Sequence, residues 1–130
     1  MIKKKPCGYL LKSGEDYLEA IYNLSQKNEK VLSVEIANKL GVTKPSTFKA
    51  LHILAEQEYI EKENYGKVTL TEKGRERARE ILKKHRAIRM FLIDVLKVSP
   101  QAAEIDACKI EHYISDETSG KLKQYLESLL

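Results

Sequence analysis

The sequence predicts a mainly α-helical fold that is interrupted once by a short β-hairpin. Three observations favour this fold class. Apolar residues recur at helical spacing along most of the 130 residues, serine or threonine precedes several of these segments, and two short alternating runs flank an Asn/Gly turn within 59–70. A composition of 42% hydrophobic and 32% charged residues is typical of a soluble globular protein.

The ends of the chain and its cysteines indicate a cytoplasmic protein. Residues 1–12 are expected to form a flexible basic tail, because their positive charges are followed by no apolar segment of signal-peptide length. No apolar run reaches the roughly 20 residues that span a bilayer, so no membrane partner is expected. Cys7 and Cys108 are far apart, which argues against a disulfide framework.

The first two predicted helices are defined by their caps. One helix is predicted to start with Ser13 as its N-cap and to end near Ser25. After a polar connection at 26–30, a shorter helix is predicted with Ser33 as its cap. It ends at Gly41, since glycine readily adopts the left-handed conformation that ends helices.

A third helix and a hairpin follow. Thr43 is predicted to open this helix, with Pro45 in the first turn, where a missing N–H costs least. The helix is expected to end near Gln57. Its predicted inward-facing residues are Phe48, Leu51, Ile53 and Leu54. The runs 59–62 and 67–70 then read as two strands around a turn at 64–66.

The rest of the chain is predicted to be helical. Thr71 is expected to cap a long helix that runs to about Leu96. Another helix starts near Pro100 and continues through Ile114. Residues 119–130 form a last amphipathic helix, whose apolar stripe consists of Leu122, Tyr125, Leu126 and Leu129.

Two short helices joined by a tight turn and followed by a hairpin predict a winged helix-turn-helix over 13–74. In this fold the second helix presents its N-terminal residues to the major groove of DNA. Small hydroxyl side chains form hydrogen bonds with bases or phosphates, and lysines neutralise phosphates. The proline ring and the threonine methyl groups can contact the methyl groups of thymines. The predicted contacts to a double-stranded operator are Thr43, Lys44, Pro45, Ser46, Thr47 and Lys49, with Lys62 and Lys67 on the wing. A helix pair that only packs, or a winged helix used for protein contact, is the alternative.

The charge distribution also favours contact with a polyanion. Residues 73–89 hold eight basic and two acidic residues, whereas 100–130 hold six acidic and three basic ones. A basic segment followed by an acidic one is typical of a protein that contacts nucleic acid through only one of its parts. A merely solvated charged helix is the alternative.

Six side chains form a candidate metal site. Spacings of i, i+3 and i+4 place a thiol, a carboxylate and an imidazole on one face of a helix. Two carboxylates share a face of the first helix, and a histidine lies on the long helix. Packing of these three helices would gather Asp16, Glu19, His85, Cys108, Glu111 and His112. Solvated carboxylates, a phosphate-binding histidine and a core cysteine are the alternatives.

A catalytic role for the same segment is less well supported. Cys108 and His112, at i and i+4, have the spacing of a nucleophile and its base. The sequence has no oxyanion-hole element and no substrate-pocket signature. We therefore expect that the protein is not an enzyme.

Five segments resemble the diphtheria toxin repressor family of metal-dependent transcriptional repressors, including its manganese transport regulator branch. They are Glu-Asp-Tyr-Leu-Glu-Ala-Ile-Tyr at 15–22, Val-Thr-Lys-Pro-Ser-Thr at 42–47, Leu-Thr-Glu-Lys-Gly at 70–74, Lys-Lys-His-Arg at 83–86 and Ala-Cys-Lys-Ile-Glu-His-Tyr-Ile-Ser at 107–115. The resemblance implies a winged helix followed by a helical metal-binding and dimerisation domain, placed here at 75–130. It implies a homodimer that represses metal-uptake genes when Fe(II) or Mn(II) is plentiful.

The resemblance gives mixed indications about the metal. Asp16 and Glu19 match the manganese branch and Cys108 matches the iron branch, whereas His85, Glu111 and His112 suit both. Because a thiolate favours Fe(II) over Mn(II), Fe(II) is the predicted cofactor and Mn(II) the next candidate.

Two further positions depart from the iron branch. Arg89 stands where that branch uses a glutamate ligand, and Glu104 stands where it uses a histidine. Arg89 is therefore expected to pair with a carboxylate. A winged-helix regulator that answers a small organic ligand or a protein partner, without metal, is the alternative function.

The predicted mechanism is metal-linked repression. Without metal, Asp16, Glu19 and Glu111 crowd like charges together; metal ties the first helix to the bundle and fixes the two recognition helices of a dimer on two half-sites. The apolar face of 100–114 and the stripe within 119–130 are the predicted dimer surface. The alternative is that this stripe only closes the monomer core.

Overall fold

The structure is a computed structural model that describes residues 14–129. The predicted tail at 1–12 and the predicted cap Ser13 lie outside the described residues. The described chain divides into two compact units, 14–79 and 80–129, whereas the predicted domain boundary follows residue 74. None of the helices within 14–129 has the length and apolar character that crossing a membrane requires.

The first unit contains three helices and a small antiparallel sheet, as predicted for a winged helix. Its elements are α1 (Gly14–Ser25), β1 (Val31–Leu32), α2 (Ser33–Leu40), α3 (Lys44–Glu56), β2 (Ile60–Lys62), a 3₁₀ turn (Asn64–Gly66) and β3 (Lys67–Leu70). The strand order is β1-β3-β2, with Val31 opposite Val68 and Ile60 opposite Leu70.

The sheet has one strand more than the predicted two-stranded wing. Strand β1 follows directly after the predicted polar connection and pairs with β3. A two-residue strand is too short to show the alternation that marks strands in a sequence. Its position depends on Val31, which is buried together with its partner Val68 in the core of this unit.

The helix caps agree with the sequence at α3 and differ at α2. Thr43 Oγ1 accepts a hydrogen bond from the Ser46 N–H at 3.2 Å, so the prediction of Thr43 as N-cap is confirmed. The prediction of Ser33 as a cap is wrong, because Leu32 is the N-cap residue of α2. The Leu32 N–H donates to Glu35 Oε1 at 2.9 Å. A side chain of the first turn thus satisfies the backbone N–H of the N-cap residue.

Two of the four residues predicted to face inward on α3 lie on the surface instead. Leu51 and Leu54 are buried, but Phe48 is 67% exposed and Ile53 is 47% exposed. The inward position before Leu51 is taken by Thr47, which is 2% exposed. Since successive residues of a helix are rotated by about 100°, Phe48 points away from the core when Thr47 points into it.

The second unit continues the long helix α4 (Glu72–Met90). A π-helical turn (Phe91–Val95), α5 (Pro100–Ile110) and α6 (Asp116–Ser128) follow. The prediction of Thr71 as the cap of α4 is confirmed, because its Oγ1 accepts from the Gly74 N–H at 3.0 Å. Ser99 caps α5 and Ser115 caps α6 in the same way.

The ends of these helices differ from the predictions. The predicted helix to Leu96 changes to π-type bonding after Met90, with the Leu96 N–H bonded to the Phe91 carbonyl. Helix α5 ends at Ile110 rather than Ile114, because the next bonds tighten to i−3 spacing.

Helix α6 starts at Asp116, three residues before the predicted Ser119, because Ser115 supplies its cap. Its apolar stripe is only partly covered. Tyr125 and Leu129 are about half exposed, and Tyr125 makes an edge contact with the Phe91 ring at a centroid distance of 6.2 Å.

Gly74 is expected to be essential for the stability of the first unit. A Cβ at this position would overlap the carbonyl oxygen of Tyr59, a backbone atom that cannot rotate away. We expect Gly74→Ala to lower the free energy of unfolding by about 3 kcal/mol, measured by chemical denaturation. Gly120→Ala is the matched control, because a Cβ there meets no atom within 4 Å. In α6 that change should stabilise by about 0.5–1 kcal/mol. Equal effects of both substitutions would contradict this account.

Candidate metal centre and nucleic-acid interface

His85 is the centre of a polar cluster in the second unit. Its Nδ1 lies 2.7 Å from Glu111 Oε1, and its Nε2 lies 3.0 Å from Glu104 Oε2. Helix α4 supplies the histidine, α5 supplies Glu104, and Glu111 is the residue that caps the end of α5. Both ring nitrogens therefore face carboxylates.

These contacts hold a proton on His85. The pKa of His85 is raised from 6.5 to about 9, chiefly by the hydrogen bond to Glu111. Burial opposes this rise, and the charge of Glu111 and the hydrogen bond and charge of Glu104 add to it. The metal-free cluster is thus an imidazolium between two carboxylates, and binding of a cation by His85 requires loss of that proton.

Glu111 is a buried carboxylate whose bonding is incomplete. Its side chain is 0% exposed, and its Oε2 has no hydrogen-bond partner among residues 14–129. His112 Nε2 lies 3.5 Å from that oxygen, which is too long for a strong hydrogen bond. Leaving a buried carboxylate oxygen unsatisfied is costly unless a proton or a cation completes its bonding.

Cys108 adds a sulfur donor. It is 3% exposed, and its Sγ lies with donor atoms of His85 and Glu104 in a group whose members are all within 4.8 Å of one another. Nitrogen, oxygen and sulfur donors together suit a divalent transition metal. Burial of the thiol also fits a ligand better than a nucleophile, which must meet its substrate. The residues present therefore fit a metal.

Glu104 is the site residue that the sequence analysis did not select as a ligand. A signal for it existed, because Glu104, Cys108 and Glu111 are spaced i, i+4 and i+7 and share a helix face. The prediction that Arg89 pairs with a carboxylate is confirmed, since its Nε lies 3.1 Å from Glu104 Oε1. Arg89 thus fixes a positive charge at the edge of the cluster.

The remaining predicted ligands lie on α1, in the first unit. Asp16 is buried and Glu19 is half-buried, a protected placement for two carboxylates. Their roles as ligands stay predictions of the sequence.

The predicted DNA-contacting residues of α3 are mostly on the surface. Thr43, Lys44, Pro45, Ser46 and Lys49 are exposed, and so are Lys62 and Lys67 on the wing.

Thr47 is the exception, because its side chain is buried and does not share the exposed surface of the other predicted contacts. Its hydroxyl donates to the Thr43 carbonyl at 3.0 Å and is hydrogen-bonded to the buried Tyr17. The side chain thus supports the start of α3 from inside.

Part of the basic segment 73–89 is neutralised within the protein. Arg77 pairs with Glu15 in the first unit, and Lys84 pairs with Asp116 at 3.1 Å in the second. Together with the Arg89 pair, these contacts reduce the charge that the segment offers to a polyanion. The exposed lysines of α3 and the wing therefore carry more of the expected attraction for DNA.

Two family models match nearly the whole chain. The iron dependent repressor N-terminal DNA binding domain matches residues 9–68. The iron dependent repressor metal binding and dimerisation domain matches residues 71–129.

Several relatives are similar to this chain over most of its length. An uncharacterised HTH-type transcriptional regulator of Methanocaldococcus jannaschii is 42% identical, covering 87% of this chain and 91% of its own. The transcriptional regulator MntR of Escherichia coli O157:H7 is 38% identical and is covered over 72% of its length, with 87% of this chain. The structure of the manganese regulator SloR has a TM-score of 0.79 at 30% identity, covering 91% of this chain and 55% of that one. The chain thus spans about half the length of that solved structure.

Proposed function

The chain belongs to the iron dependent repressor family of metal-dependent transcriptional regulators, and from this we propose that a divalent metal held by its second unit promotes operator binding by its winged helix. The observation that carries the proposal is the buried Glu111 carboxylate. One of its oxygens is bonded to His85, and the other is unsatisfied beside His112. A bound cation would complete this bonding.

The proposed ligands of the described cluster are His85, Glu104, Cys108, Glu111 and His112. His85 supplies a neutral imidazole after it loses its proton, and Cys108 supplies a thiolate. A divalent metal supplies the charge that offsets the clustered carboxylates. Asp16 and Glu19 remain predicted ligands on α1.

We propose Fe(II) as the physiological metal, with Mn(II) as the next candidate. A thiolate is a softer donor than carboxylate, and it favours Fe(II) over Mn(II) in the usual affinity order. The same order would favour Zn(II) still more strongly, so selectivity in the cell rests on geometry and availability. The names of the relatives refer to manganese in SloR and to iron in the family models.

The DNA-binding form is proposed to be a homodimer. Leu96, Tyr113, Tyr125 and Leu129 are large apolar side chains of the second unit, and each is about half exposed or more. Such a surface suits a subunit interface better than contact with water. Two α3 helices would then meet half-sites about one helical turn, or a multiple of it, apart.

A regulator that answers an organic ligand or a protein partner without metal is the alternative. Family membership and the donor cluster around His85 both favour the metal.

Operator binding is expected to depend on metal. We expect Fe(II) or Mn(II), added anaerobically, to raise affinity for an operator duplex by roughly 5–150-fold, the usual range for coupling between two sites. The duplex is first selected from a random pool, and binding is followed by fluorescence anisotropy. Co(II) and Zn(II) complete the series, and a chelator should reverse each increase. Operator affinity that is identical with metal and with chelator would replace this proposal with the metal-independent alternative.

A further inference from the structure

Phe48 is an aromatic side chain on the surface of the helix that is proposed to enter the major groove. Its neighbours in the sequence and one turn on, Thr47 and Leu51, are buried, whereas Phe48 is 67% exposed. It lies one helical turn after Lys44 and Pro45, which are exposed at the start of α3. The ring contributes little to the core and is available to a partner.

The Phe48 ring is in contact with a lysine of the wing. Lys62 Nζ lies 4.7 Å from the centroid of the Phe48 ring, within the distance of a cation–π interaction. Phe48 and Lys62 line a cleft of about 360 Å³ between α3 and the wing. Phe48 has only two side-chain torsions, and contact with Lys62 and the cleft restricts them further, which lowers the entropy that the ring loses when a partner binds.

Positive charge surrounds the ring. Lys44, Lys62 and Lys67 line the same cleft, and Lys49 is exposed one residue further along α3. The acidic residue of the cleft, Glu63, is paired with Lys30 at 3.0 Å. A second copy that docks through this same face would bring the same lysines against these and be repelled. Duplex DNA is the partner whose charge is complementary.

We infer that Phe48 is a specificity-determining residue that reads a thymine through its C5-methyl group in the major groove. A thymine presents this methyl at the floor of the groove, and apolar side chains, phenylalanine among them, distinguish it from cytosine there. The flanking lysines bind phosphates and position the ring without reading sequence. The inference deepens the proposed operator binding and rests on it.

The test removes first the thymine C5-methyl group and then the Phe48 ring. Each thymine of a selected operator is changed to deoxyuridine, which removes only the C5-methyl, and affinity is measured with saturating Mn(II). We expect the affinity of the wild-type protein to fall roughly fourfold when one particular thymine of each half-site is replaced by deoxyuridine. This is the effect of one buried methyl group. Phe48→Ala should bind the unmodified operator more weakly and show no further loss at that thymine.

Ile53→Ala is the matched control, because Ile53 is also an exposed apolar residue of α3, at 47% exposure, but does not line the cleft. It should keep the wild-type sensitivity to deoxyuridine. Thermal unfolding of both variants serves as the check that they are folded. If Phe48→Ala keeps the wild-type loss at every deoxyuridine position, the inference is overturned while operator binding stands. If wild-type protein selects no duplex at all, the proposed function fails first.

Discussion

Replacing Glu111 by glutamine is expected to abolish the metal-dependent gain in operator affinity. The substitution keeps the size of the side chain but removes the charge that lies between His85 and His112. Loss of groups that merely support metal ligands costs about 10–100-fold in metal affinity, so loss of a direct ligand should cost roughly 100-fold or more. Mn(II) binding is measured by calorimetry, and operator binding by anisotropy with and without Mn(II).

Glu127→Gln is the matched control for that experiment. Glu127 is an exposed carboxylate on α6, so its neutralisation changes net charge by the same amount outside the cluster. It should bind Mn(II) and respond to it like the wild type. A Glu111→Gln protein that still responds fully to Mn(II) would remove this carboxylate from the proposed site.

Metal affinity is expected to rise with pH by at least about tenfold per unit between pH 6.5 and 8.5. His85 holds a proton with a pKa of about 9, and one proton must leave for each cation that this imidazole binds. The proposed Cys108 thiolate releases a proton as well, so the total change over this window is at least about 100-fold. Mn(II) affinity measured across the range, together with proton release in buffers of different ionisation enthalpy, gives both the slope and the proton count.

The stability of the metal-free protein should move in the opposite direction. The pKa of His85 is raised from 6.5 by folding, so its stabilising contribution is fully present below pH 6.5. That contribution, on the order of 3 kcal/mol, is lost as the pH rises through about 9. His85→Gln is the control, because it keeps a hydrogen-bonding side chain but cannot be protonated. If both proteins lose the same stability between pH 6.5 and 9, His85 is not the titrating group.

Much of the fold was predictable because it depends on local chemistry. Thr43 and Thr71 cap their helices with their own hydroxyls, and Gly41 ends α2 in the left-handed conformation, with φ of +68°. Each of these features involves atoms only a few residues apart. The helices could be predicted from the spacing of apolar residues for a similar reason, because this spacing shows which face of a single segment is buried.

The predictions failed where a distant contact decided between local options. Phe48 and Thr47 are both compatible with the inward face of a helix, and packing of Thr47 against Tyr17 of α1 selected the threonine. Strand β1 exists because Val68 of β3 buries Val31.

The candidate metal centre combines both kinds of information. The sequence by itself determined the donor types and their spacing at 104–111, because two turns of helix bring Glu104, Cys108 and Glu111 to the same face. Only the tertiary structure decided that His85 of α4 lies between Glu104 and Glu111, and that Arg89 neutralises the outer carboxylate. His85 is separated from Glu104 by 19 positions in the chain and from Glu111 by 26 positions. Tertiary packing brings these residues together, and such long separations produce no periodic pattern in the sequence.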